Sequence, residues 1–170
     1  MGMENPLAVR IVEATPQRSN WGNRRILGIF VFLALLSLIV DRIGFVATPS
    51  IKYRFVLQAF GTPERGDYVR LWAAHPLMDG GKRLLLTKLL ACGPGDRLDF
   101  DRGEHSCNRV VIDRITMTQL DDGTPLPAFE FHGVIPAGQG FLLGQHPRSL
   151  DSRYLGLFPL TGAQKVWGIY

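Results

Sequence analysis

Polar and apolar positions divide the chain into unlike parts. Up to Arg25 it is polar, with arginines at positions 10, 18, 24 and 25 against Glu4 and Glu13, which predicts a short, poorly ordered tail over 1–25. Ile26 to Val40 (ILGIFVFLALLSLIV) is an uncharged run of fifteen residues. As a helix it measures about 22 Å, short of a hydrocarbon core of roughly 30 Å. Carried on through Asp41 and Arg42 to Ala47 it reaches about 33 Å, enough to span. A cleaved signal peptide is disfavoured, because the leading polar region is long and no A-x-A site follows. A buried core helix has the same length. The paired Arg24-Arg25 before the run favours a signal anchor over 26–47 with its amino terminus in the cytoplasm. Residues 48–170 then form a domain on the far side of a bacterial inner membrane.

Beyond the anchor, short alternating or apolar runs stand between turn signals, a strand pattern. Arg54–Gln58, Tyr68–Ala73, Leu84–Ala91, Arg97–Phe100, Arg109–Asp113, Ile115–Gln119, Phe129–Phe131 and Gly140–Gly144 are the expected strands, with Lys165–Tyr170 as an edge strand. Composition agrees: nineteen glycines and eleven prolines in 170 residues favour a mostly β domain. The net charge of +4 is modest and the arginines are scattered, so no nucleic-acid stripe is visible. Cys92 and Cys107 lack metal-ligand spacing and the four histidines lie far apart, which argues against a zinc site. An oxidising compartment permits a Cys92–Cys107 bridge across the intervening hairpin; the alternative is two free thiols.

One position stands out chemically. Lys88 interrupts the run LLLTKLLAC, which Gly93-Pro94-Gly95-Asp96 then ends. An ammonium buried there tends to lose its proton and become a base, unless the side chain snorkels to water. Acting as a base near neutrality requires a fall from about 10.4 toward 7–8, roughly 4 kcal/mol of selective destabilisation of the charged form. The other lysines (52, 82 and 165) have no comparable apolar setting. Of six serines, Ser19 is in the tail, Ser37 in the apolar run, Ser106 in a polar stretch, and Ser149 and Ser152 in a late cluster. Ser50 remains, three residues past the anchor. Alone, a serine there is more often a turn or cap residue than a nucleophile. No histidine stands in a triad-like pattern, and a Ser-Lys dyad is the known alternative.

Four motifs in order, Thr48-Pro49-Ser50 after an apolar anchor, Gly66-Asp67-Tyr68-Val69, Lys88 with Gly93-Pro94-Gly95-Asp96, and Ser149 through Gly156 (SLDSRYLG), resemble the type I signal peptidases. The stretch from Pro147 to Tyr154 (PRSLDSRY) and the small size look most like the TraF-type branch attached to conjugative transfer. The resemblance implies a signal-peptidase-like coiled β-sheet domain behind one transmembrane helix. It implies a membrane-anchored serine endopeptidase, with no cofactor and no metal, acting on an exported pilin precursor beside the lipid bilayer, with or without ring closure. Carried over residue by residue, Ser50 is the nucleophile and Lys88 the general base. Thr48 helps the Ser50 amide hold the oxyanion, Ser149 orients the lysine, and Asp151 and Arg153 support the site. Two features depart from the family pattern: no proline follows Ser50 closely, and Gln145-His146 stands where many relatives have Asp-Asn. The rival readings are a general signal peptidase acting on many secreted proteins, and a catalytically silent anchored assembly factor.

Overall fold

The computed structural model describes residues 21–40, 42–46 and 51–169. Two units divide the chain, 1–39 and 40–170. In the first, α1 (Trp21–Val40) is a helix whose apolar side chains, Phe30 and Leu38 among them, are exposed. Among the described residues no helix is long and apolar enough to cross a membrane. The expected helical continuation to Ala47 is not seen in the described part of that stretch. The chain turns at Arg42 and enters β1 (Ile43–Phe45), which pairs antiparallel with β2 (Phe55–Gln58). Extended backbone satisfies its hydrogen bonds across the ladder, so these residues join the sheet domain.

Among the described residues the second unit is built from two antiparallel sheets. The larger has seven strands in the order β1-β2-β11-β3-β4-β9-β10, using β3 (Tyr68–Ala73), β4 (Leu84–Cys92), β9 (Gln139–Leu143), β10 (Phe158–Pro159) and β11 (Gln164–Ile169). The smaller runs β7-β6-β5-β8, from β5 (Arg97–Asp101), β6 (Glu104–Cys107), β7 (Val110–Arg114) and β8 (His132–Val134). A four-residue helix, α2 (Ser152–Leu155), follows β9. The architecture is mostly β. Three expectations shift. The C-terminal strand lies between β2 and β3 and not at an edge; residues 115–119 contribute only an isolated bridge, Gln119 to Pro125; and the strand expected at 129–131 forms instead at 132–134.

Strand β4 organises the core. Its partners across the ladder are Ala73 for Leu84, Leu71 for Leu86 and Val69 for Lys88. Directly opposed residues share a face, so Leu84, Leu86 and Lys88 stand on the same side as the buried Val69, Leu71 and Ala73. That side packs with Met78, Leu90, Leu142 and Phe158. The register with β9 then shifts between Leu90 and Cys92, the mark of a bulge that re-aims a strand. Beyond it, Ala91 and Cys92 join a second cluster with Leu98, Ile135 and Phe141. Cys92 and Cys107 are joined by a disulfide, which ties the end of β4 to β6 in the smaller sheet.

Candidate active site

Lys88 occupies a position on the core face where the pattern calls for an aliphatic side chain, and it is 3% exposed. Burial pushes its amine down from 10.5 to about 8; the Asp151 carboxylate pulls the other way, and the Arg153 guanidinium again lowers it. Its Nζ donates to Ser149 Oγ at 2.6 Å in a buried contact. A neutral amine can donate this N–H and still hold a lone pair able to accept a proton.

Ser149 is fixed from behind by the chain that follows it. Asp151 caps α2: its carboxylate accepts from the Arg153 amide, from Arg153 Nε at 2.9 Å and Nη2 at 2.8 Å, and from the Gly144 amide at 2.8 Å. Both side chains are essentially inaccessible to water. A buried ion pair persists when further hydrogen bonds complete it, and these do. Arg153 also donates to the Ser149 carbonyl and to Thr116 Oγ1, and lies 3.3 Å from Asp113. Burial would lower its proton affinity, but Asp151 and Asp113 reverse that and raise it. Tyr154 Oη accepts the Thr116 and Met117 amides, holding the 116–117 segment against α2.

Three residues of this arrangement carried no signal that sequence reasoning used. Gly144 closes β9 directly against the site: a Cβ there would collide with Ser149 Oγ and lie 3.1 Å from Lys88 Nζ. The glycine after the apolar run FLL was the available cue, since glycine marks close approach. Thr116 and Asp113 arrive from a distant strand and loop, and nothing local announces them. Ser50 and Thr48 lie outside the described residues. The chain resumes at Ile51, which is buried with Val46, Val56 and Val166, and the Lys52 amide donates to Gln145 Oε1 at 2.8 Å.

A cavity of about 310 Å³ opens at the lysine, with Lys88 and Ser149 in its wall beside the apolar Met78, Leu84, Leu86 and Leu150. A buried amine in the wall of an apolar groove, with its partner hydroxyl locked in place, is an arrangement of the kind found in enzymes that cleave peptides. Residues 26–166 match the family model described as signal peptidase, peptidase S26, and the chain belongs to that family. The family is one of signal peptidase I-like serine endopeptidases. No match was found among curated proteins. Similar solved structures include a signal peptidase I from Enterococcus faecalis V583, at 22% identity, covering 66% of this chain and 99% of that one, with a TM-score of 0.38.

Proposed function

We propose that the protein is a membrane-anchored endopeptidase of the Ser-Lys type, with Ser50 as nucleophile and Lys88 as general base, that processes an exported pilin precursor for conjugative transfer. The observation that carries the reading is Lys88 itself, an amine held near neutrality on a core face and opening into an apolar groove. The Lys52–Gln145 hydrogen bond supports Ser50, because it brings the chain two residues past the serine to the loop that carries Ser149. Attack by Ser50 Oγ on the scissile carbonyl forms the acyl-enzyme while Lys88 takes the hydroxyl proton and returns it to the leaving amine. The Ser50 amide and the Thr48 hydroxyl hold the developing oxyanion. Water then releases the product, or the substrate's own amine does so and closes a ring.

Pilin as substrate is supported by the PRSLDSRY wording at 147–154. Membrane attachment is supported by α1, which is apolar all round beyond Arg25, as a lipid-facing helix is. Its uncharged run measures about 22 Å, and the long stems of Arg24 and Arg25 let their charges reach back to a headgroup layer. The disulfide accords with an oxidising compartment and so with a periplasmic domain. Protection of the amino terminus and digestion of the C-terminal domain in protease-treated spheroplasts is the expected topology result.

Full-length protein in detergent, incubated with a labelled pilin precursor and analysed by mass, tests the function. Cleavage or ring closure is expected, lost in Ser50→Ala and Lys88→Ala with the fold retained. Either variant remaining active rejects the dyad. The family match favours one second reading, a general signal peptidase; cleavage of a generic leader-bearing preprotein as fast as of pilin would select it.

A further inference from the structure

We propose that Gln145 is a positioning residue for the nucleophile, tying the backbone beyond Ser50 to the loop that carries Ser149, the partner of Lys88. The inference rests on the reading of Ser50 given above. It begins at Gly144, whose amide is held by the buried Asp151 carboxylate and whose missing Cβ leaves room for Ser149 and Lys88. The backbone at 144 is therefore fixed relative to the amine. Gln145 is the next residue, and its side-chain carbonyl accepts the Lys52 amide at 2.8 Å.

On its other flank the same segment is held by burial: Ile51 packs with Val46, Val56 and Val166. Apolar contact is non-directional and sets which side of the chain faces inward. A hydrogen bond is directional and sets where along the groove the segment sits. Lys52 is exposed, and nothing about its burial requires its amide to find a protein partner. The bond spans 93 positions of sequence, so its effect is to join two distant parts of the chain. An amide oxygen makes that join without adding a charge that would favour the protonated lysine.

The test uses full-length protein and whichever of the two precursors above it cleaves. Gln145→Met keeps length and removes the acceptor, while Gln145→Glu keeps an oxygen in reach of the Lys52 amide. Q145M is expected to lower kcat roughly ten- to a hundredfold, the effect of a misplaced reacting group. KM should stay within about twofold of wild type, and half-maximal kcat near pH 8. Q145E adds a charge that favours the protonated lysine, so it should recover most of kcat only on the alkaline plateau, where the amine is neutral in both variants. An unchanged kcat in Q145M, or equal losses in Q145M and Q145E on the alkaline plateau, overturns the positioning role. Ser50→Ala is run alongside: if it remains active, or if wild type cleaves neither precursor, the reading of Ser50 fails instead.

Discussion

A protonated amine buried on the core face, on a strand position paired with Val69, would lose its hydration without full compensation, so the fold shifts Lys88 toward the neutral form. The drop from 10.5 to about 8 at Lys88 corresponds to about 3 kcal/mol of burial cost at neutral pH. Because the folded state binds fewer protons than the unfolded chain between those values, the penalty is complete below pH 8 and fades above it. Lys88→Met is expected to raise stability by about 3 kcal/mol at pH 7 in urea titrations while abolishing cleavage. In the wild type the rate should climb with pH and level off above about 8. A rate flat between pH 6 and 9 would mean that no amine of this kind serves as the base. Asp151 behaves oppositely. Removing it strands the Arg153 guanidinium in a dry site, and Asp151→Ala should lose about 3–5 kcal/mol by the same titration.

At the scale of elements, legibility followed the strength of local pattern. β3 and β4 were readable because their six and nine residues, respectively, are mostly apolar or alternating and stand between turn signals. β6 was not: Glu104-His105-Ser106-Cys107 has no β-branched residue and reads as a turn, yet its ladder to β5 and the disulfide make it a strand. β1 was hidden by the apolar run before it, and the interior place of β11 depends on which strands close around it, which no local signal states. Lys88 and the SLDSRY cluster were visible as polar residues in the wrong company; the Asp113–Thr116 side of the arginine network was not. The disulfide shows how such distant elements are held. It closes a loop of 15 residues, for which chain entropy predicts about 3 kcal/mol of stabilisation. Cys92→Ala with Cys107→Ala should lower the urea midpoint accordingly. The same double variant should respond no further to dithiothreitol, whereas the wild type should fall to meet it.

For the molecule as a whole, three shifted groups act in one direction. Burial pushes the Asp67 carboxyl up, but hydrogen bonds from Lys165 and the Glu64 amide prevail and hold it below its ordinary range. His105 is fully buried between the rings of Phe100 and Phe141. Its Nε2 donates to the Phe129 carbonyl while Nδ1 has no partner among the described residues. Burial lowers its proton affinity against weaker opposing pulls from the Phe129 carbonyl and from Asp113 and Asp151. Each of the three, Lys88 included, carries fewer protons folded than unfolded, so each makes stability rise with pH in its own window. For Asp67 the window lies below 3.8, for His105 below 6.5, and for Lys88 between about 8 and 10.5. Urea midpoints should therefore increase with pH up to about 6.5 and again between about pH 8 and 10.5, with unchanged m. Lys88→Met should flatten the second rise alone. His105→Gln, which supplies an N–H for the Phe129 carbonyl but no titrating ring, should flatten the first alone. If wild type and Lys88→Met trace the same curve above pH 8, the amine is not held neutral by the fold, and the base on which the proposed chemistry depends is missing.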